Sequence, residues 1–159
     1  MPKGPVPHAS IDQLVDATAG HPRMSFLDAF QGYHQIPLAL SFGLKNAGST
    51  YQRMMTRMFE LQLDKNIEIY VDDMAVKSKV VSGHLGDLDG IFDVLRRYKL
   101  RLNASKCSFG VGLGKFLGYM VTHRGIGVNP DQIKAINDLK PPRNPKEVQK
   151  LTGMIAALN

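Results

Sequence analysis

The sequence has 159 residues, of which 43% are apolar, 21% charged and 8% aromatic, enough for one packed domain and far too apolar for a disordered chain. Its 20 Lys and Arg outnumber its 14 Asp and Glu, a net charge of +6. No apolar run approaches the roughly 18 residues of a membrane span, and Met1-Pro2-Lys3-Gly4-Pro5 lacks the hydrophobic stretch of a secretory signal, so an intracellular protein that engages no membrane is expected. One cysteine, Cys107, and five histidines that never fall at His-x3-His spacing exclude a disulfide scaffold and a zinc finger.

Residues 1–9 carry Pro2, Pro5 and Pro7 and read as an extended lead-in. Met24 to Asp28 is a short apolar run ending in a carboxylate, a strand. From Ala47 to Leu61, Tyr51, Met54, Met55, Met58 and Phe59 recur at helical spacing behind Asn46 as N-cap. Ile67, Ile69 and Val71 alternate with Glu68, Tyr70 and Asp72 and run on into Met74-Ala75-Val76, which predicts a hairpin. Leu85, Leu88, Phe92 and Leu95 mark a second helix, and Lys115 to Thr122 returns to strand character. Asn129-Pro130-x-Gln132 and Asn144-Pro145-x-Glu147 each place Asn at an N-cap and Pro at the first helical position, so two short helices start near Pro130 and Pro145.

The order strand, helix, strand, strand, helix, strand predicts an α+β fold of the ferredoxin-like split βαβ type (βαββαβ), with the helices on one face of the sheet. In that topology the third strand lies between the first two. The turn at Asp72-Asp73 then sits at the same sheet edge as Asp28, which ends the first strand. Tyr70-Val71-Asp72-Asp73 is a poor turn by local rules, with a β-branched residue and two like charges where Asn-Gly or Gly is favoured. Three converging carboxylates offer oxygen-only ligands suited to Mg2+ and to two-metal phosphoryl transfer, although a solvated Asp-Asp turn is the commoner occurrence.

The positive excess is uneven. Between Asp93 and Asp131 there is no acid, while Arg96, Arg97, Lys99, Arg101, Lys106, Lys115 and Arg124 occur there, a pattern that attracts a polyanion. A solvated surface accounts for it equally well, and the interleaved Tyr98, Phe109, Phe116 and Tyr119 are either base-stacking platforms or core residues. Gly110-x-Gly112-x-Gly114-Lys115 fails the spacing of a phosphate loop and reads as the mobile tip of a hairpin.

Ser25-Phe26-Leu27-Asp28-Ala29-Phe30-Gln31-Gly32-Tyr33-His34-Gln35-Ile36, Phe42-Gly43-Leu44-Lys45-Asn46-Ala47-Gly48, Tyr70-Val71-Asp72-Asp73, Leu102-Asn103-x-x-Lys106-Cys107 and Phe116-Leu117-Gly118-Tyr119 resemble, in order, the palm motifs of reverse transcriptases from gypsy-type long-terminal-repeat retrotransposons. The resemblance covers roughly residues 10–159 and implies an RNA-directed DNA polymerase palm from a Pol polyprotein. By that resemblance Asp28, Asp72 and Asp73 hold two Mg2+ ions, with Mn2+ as a possible substitute. The ions would activate a primer 3′-hydroxyl for attack on the α-phosphate of an incoming deoxynucleoside triphosphate, opposite an RNA or DNA template. Ala29, Phe30, Gln31, Gly32, Tyr33, Phe42 and Gly43 fall at nucleotide-binding positions, with Tyr33 as the aromatic that excludes a 2′-hydroxyl or, alternatively, a core tyrosine. Lys106 becomes a candidate proton donor to pyrophosphate, or else an exposed lysine that binds nothing. Phe116, Leu117, Gly118 and Tyr119 match the primer grip, a hairpin under the primer backbone, or alternatively a buried strand.

The departures from that family are as informative. After Ile36-Pro37-Leu38-Ala39-Leu40 the chain passes directly to Ser41-Phe42-Gly43, where the family carries roughly 20 further residues, about a hairpin of strand. The expected organisation is a lead-in at 1–9, a palm at 10–127 with an internal deletion near 40–41, and at 128–159 the beginning of the thumb or connecting helices, cut short. A palm fragment of weak or no activity is expected, in the cytoplasm, in retroelement particles or in the nucleus. The alternative is a basic, non-catalytic nucleic-acid-binding remnant.

Overall fold

The computed structural model describes residues 10–29, 47–127, 130–138, 141–142 and 144–156. The expected helix cap Asn46, the deletion near 40–41 and the nucleotide-site residues Phe30, Gln31, Gly32, Tyr33, Phe42 and Gly43 lie outside them. Among the described residues no helix is long and apolar enough to cross a membrane.

The first element is a helix, α1 (Ile11–Thr18), opened by a capping box in which the Gln13 N–H donates to the Ser10 hydroxyl and the Ser10 N–H to the Gln13 side-chain Oε1. No helix is predicted here from the periodicity, although Ser10-x-x-Gln13 ahead of Leu14-Val15 is a capping signature. Then follow β1 (Arg23–Asp28), α2 (Ala47–Met58), β2 (Ile67–Tyr70), β3 (Asp73–Ser78) and α3 (His84–Arg97). These match the predicted strand, helix, hairpin and helix. After a 3-10 turn at Ala104–Lys106 come β4 (Ser108–Val111), β5 (Leu113–Phe116), β6 (Tyr119–Thr122) and β7 (Gly125–Gly127), then α4 (Pro130–Asn137) and α5 (Pro145–Ala156). Both late helices start at the expected prolines, and Asn144 caps α5 by accepting the Glu147 N–H at 2.9 Å.

The main sheet is antiparallel in the order β2-β3-β1-β4, the split βαβ order, with β3 between the first two strands as expected. Its fourth strand is a correction. The predicted strand from Lys115 to Thr122 is two strands of a separate three-stranded sheet, β5-β6-β7, and the fourth main-sheet strand is Ser108–Val111. Leu117 and Gly118 have φ of +50° and +88°, so the backbone turns back on itself in the middle of an apolar run. Ser108-Phe109-Gly110-Val111 was hidden by its glycine and by its lack of alternation.

Period-two alternation sends each strand's residues to opposite faces. Leu27, Ala29, Ile67, Ile69, Met74 and Val76 form one core with Tyr51, Met55 and Phe59 of α2 and Leu88, Ile91, Val94 and Leu95 of α3. The two palm helices therefore share one face, as expected, except that Leu85 is 79% exposed and His84 takes the inward position at the start of α3. Met24, Phe26 and Ala75 face the other way and pack on Leu14 and Val15 of α1 and on Phe116 and Val121 of the small sheet. Gly114 is the contact point of the two sheets: a Cβ there would lie 2.1 Å from Phe26 Cε2. Gly114 is thus a packed strand residue, and the hairpin tip falls instead at Leu117 and Gly118. Beneath α1, Lys77 Nζ donates to Glu68 Oε1 at 2.5 Å and to the Ala17 carbonyl at 2.7 Å, a buried pair satisfied by a helix C-terminal carbonyl.

At the sheet edge away from Asp28, a chain of hydrogen bonds fixes the protons of a buried histidine. Ser78 donates to Asp87 at 2.5 Å, so its oxygen accepts from His84 Nδ1 at 2.7 Å. His84 Nε2 is then the acceptor for Ser25 at 2.7 Å, and Ser25 accepts the Gly110 N–H at 2.9 Å. Burial lowers the His84 pKa below its usual 6.5, opposed by Asp87 and assisted by Arg23. The unfolded chain takes up this proton more readily, so the contribution to stability is complete above the unfolded value of 6.5 and is lost as pH falls below it. Thermal unfolding should show a midpoint that declines as pH drops from about 6.5 toward 5, and His84→Gln should flatten that decline while lowering stability by about 2 kcal/mol.

Candidate active site

β1 and β3 pair so that Asp28 stands directly opposite Asp73. Side chains opposed in an antiparallel pair share a face, and this one is the face of Phe26 and Ala75, toward the small sheet. Asp72 precedes β3 in the turn, and its carbonyl accepts the Ala29 N–H at 2.9 Å, which ties the turn to the end of β1. The predicted convergence of Asp28, Asp72 and Asp73 at one sheet edge is therefore present.

The turn is strained and supported from outside. Val71 has φ of +54°, a left-handed conformation that costs a β-branched residue on the order of 1–3 kcal/mol. Gln52 of α2 holds it: Gln52 Nε2 donates to the Ile69 carbonyl at 3.0 Å, and the Val71 N–H donates to Gln52 Oε1 at 2.6 Å. The carboxamide thus stands in for a neighbouring peptide along β2, an edge strand. Gln52 is a positioning residue that the sequence did not reveal; its only signal was a polar residue between buried Tyr51 and Met55.

The electrostatics are those of crowded like charges. Asp72 is partly buried, which raises its pKa above 3.8; the polar hydroxyl of nearby Tyr51 lowers it, Asp28 raises it and Lys106 lowers it. Asp73 is more open, yet the protein around its carboxyl also desolvates it upward, Asp28 and Asp72 add to the rise, and Lys106 opposes it. Lys106 Nζ is 3.6 Å from Asp28 Oδ2. The Asn103 N–H donates to the Asp28 carbonyl at 2.8 Å, and the Asp28 N–H to Cys107 Sγ at 3.5 Å. The predicted Leu102-Asn103-x-x-Lys106-Cys107 segment therefore meets the first carboxylate both at its backbone and through a lysine.

Phe116, Leu117 and Gly118 lie across from this edge. Together with Phe26, Asp28, Asp73, Lys106 and Lys115 they line a cleft of about 410 Å3. Leu117 and Gly118 form the hairpin tip; Phe116 is 3% exposed, so it anchors the hairpin on Phe26, with ring centroids 6.0 Å apart. Tyr119 does not line the cleft. Its hydroxyl donates to Asp12 of α1 at 3.2 Å. Of the acid-free stretch, Arg96 is engaged by Asp89 and Asp93 on its own helix and Lys106 by Asp28, so part of that charge is neutralised locally.

Asp72 Oδ1 is buried with no hydrogen-bond partner among the described residues. An orphaned carboxylate oxygen beside two further carboxylates, all oxygen donors, fits a hard divalent cation. Among the described residues no three His, Cys, Asp or Glu side chains are grouped closely enough to hold a metal ion together, so the three aspartates are adjacent but not gathered around one point.

The family model described as reverse transcriptase (RNA-dependent DNA polymerase) matches residues 39–121. The chain belongs to this family. It is 29% identical to the retrovirus-related Pol polyprotein from transposon 297 of Drosophila melanogaster, over 94% of this chain and 16% of that protein. It is 35% identical to the Pol polyprotein from transposon opus of the same organism, over 74% of this chain and 12% of that protein, and 29% identical to that from transposon gypsy over 80% and 14%. The chain thus spans a small fraction of the length of these polyproteins. The fold matches the foamy viral protease-reverse transcriptase in complex with double-stranded DNA, with a TM-score of 0.81 and 20% identity over 99% of this chain and 37% of that one. It also matches the same enzyme with an RNA/DNA hybrid, with a TM-score of 0.78 over 96% and 23%.

Gln52→Ala should leave the Val71 N–H and Ile69 carbonyl without that partner and lower stability by about 1–3 kcal/mol in urea unfolding. Asp72→Asn should act in the opposite direction. A raised carboxyl pKa means that the ionised form is held at a cost, so the variant should melt higher than the unaltered chain near neutral pH in metal-free buffer. That gain should shrink as acid protonates Asp72 in the unaltered chain.

Proposed function

We propose that this reverse transcriptase domain is a nucleotidyl-transfer palm, in which Asp28, Asp72 and Asp73 hold two Mg2+ ions, or Mn2+ in their place, facing a primer end in the adjacent cleft. The observation that carries the reading is the pairing of Asp28 with Asp73 on the face that looks across to Leu117 and Gly118. Bound there, divalent cations would acidify a hydroxyl and neutralise a reacting phosphate.

The chain's own residues supply the rest. Gln52 keeps the strained turn in register, so that Asp72 and Asp73 keep their places beside Asp28. Phe116, packed on Phe26, holds the hairpin tip at a constant height over the sheet. Lys115 and Lys106 give the cleft two ammonium groups for phosphate oxygens, and Lys106 Nζ is the candidate proton donor to a leaving pyrophosphate. The substrates this reading implies are a primed RNA or DNA template and deoxynucleoside triphosphates. The double-stranded DNA and RNA/DNA hybrid held by the foamy viral enzymes support the nucleic-acid half of that assignment.

The alignment with the transposon 297 polyprotein runs over 170 positions but takes in only 94% of this chain of 159 residues, about 149 of them, which supports a relative carrying some 20 residues that this chain lacks; the motif order puts them near residues 40–41. Synthesis by the chain alone is accordingly expected to be weak. Primer extension on an RNA template with Mg2+ or Mn2+ tests the reading: slow extension by the purified chain, abolished by Asp72→Asn and raised by restoring the missing segment, is the expected result. Extension that survives Asp72→Asn would overturn the assignment.

A further inference from the structure

The basic side chain that pairs with Asp28 does not come from the strands that carry the carboxylates. Lys106 ends the 3-10 turn Ala104–Lys106. Its backbone is tied down, since the Lys106 N–H donates to the Asn103 carbonyl at 2.9 Å and the Asn103 N–H to the Asp28 carbonyl at 2.8 Å. Its side chain is not: it is 65% exposed, while Asp28, which it meets at 3.6 Å, is 20% exposed. A flexible stem on a fixed backbone thus delivers an ammonium to a largely covered carboxylate. The same ammonium is the cation whose field reaches Asp72 and Asp73.

A divalent cation that takes Asp28 as a ligand needs the carboxylate oxygens beside which Lys106 now stands. Two positive charges at one carboxylate repel each other. The lysine has somewhere to go, because it lines the same open cleft as Lys115.

We propose that Lys106 is an exchangeable internal counter-ion of the carboxylate cluster: its ammonium holds Asp28 in the metal-free chain, and a divalent cation displaces it into the cleft. The inference rests on the metal-centre reading above and goes beyond it. Lys106 becomes a positioning residue that weakens metal binding by competition and frees a second cation in the cleft, beside Lys115, only once metal has bound. Binding of an anionic group and binding of metal are coupled through one side chain.

Manganese titration of the full chain, followed by the electron paramagnetic resonance signal of the free ion, tests this. Lys106→Met should bind Mn2+ about three- to fivefold more tightly than the unaltered chain, the worth of a half-exposed ion pair, and Lys106→Arg should bind like the unaltered chain. Lys106→Met should also melt lower in metal-free buffer, and that deficit should close at saturating Mn2+, because neither protein then keeps an ammonium on Asp28. Equal or weaker Mn2+ binding by Lys106→Met, or a melting deficit that persists at saturation, would overturn the competition and leave the metal centre standing. No Mn2+ binding by any of the three proteins would overturn both.

Discussion

In an antiparallel pair, a slip of one residue turns every side chain of a strand to the opposite face. The pairing of β1 with β3 is where that matters most here, because Asp28 opposite Asp73 puts two carboxylates on the cleft side, whereas a slipped register would direct Asp28 into the helical core. The apolar pattern alone cannot hold this register. Both faces of the sheet are covered, one by α2 and α3 and the other by α1 and the small sheet, so an apolar residue is acceptable on either side. The polar residues discriminate. Ser25 and Ser78 must both reach His84 on the helical face, while Lys77 must reach Glu68 and Ala17 on the other. Either network would be left with unpaired buried groups by a slip, at a cost of about 1–3 kcal/mol for each neutral group.

The two ends of the sheet are built on opposite principles. At the His84 end an unbroken series of hydrogen bonds runs from Asp87 through Ser78, His84 and Ser25 to the Gly110 N–H. At the Asp28 end the structure tolerates repulsion, an orphaned carboxylate oxygen and two left-handed apolar residues, Val71 at φ +54° and Leu117 at φ +50°. Strain of this kind persists only where the surroundings over-determine the backbone. Gln52 does so for the first turn. For the second it is the contact of Phe116 with Phe26, and the glycine at 114 that lets the sheets approach so closely. The site is destabilised locally and stabilised from a distance.

Lys106 links these ideas. Its ammonium, 3.6 Å from Asp28, softens the repulsion among the carboxylates without removing it, since burial and the neighbouring carboxylates still hold Asp72 and Asp73 above the usual range.

Much of this protein is legible in one dimension. The alternation of Ile67 to Val71, the helical spacing of Tyr51, Met55 and Phe59, the Asn-Pro caps before α4 and α5, and the ordered motifs that mark a reverse transcriptase palm all depend on neighbours within a turn or a strand. So does the oddity of Val71-Asp72-Asp73, which breaks local rules in a way visible without coordinates. What tertiary structure alone decided are pairings between segments far apart. Asp28 and Cys107, 79 residues apart, meet through a backbone N–H, and Ser25 and His84, 59 apart, through a side chain. The glycine-containing Ser108–Val111 becomes a sheet strand because β1 offers it an edge. The run from Lys115 to Thr122 becomes two strands because Leu117 accepts a left-handed backbone that its own preference opposes. Periodicity records which face of an element avoids water. It carries no information about which polar group from another element will stand opposite, and here those encounters decide where the carboxylates, their lysine and their supporting glutamine are held.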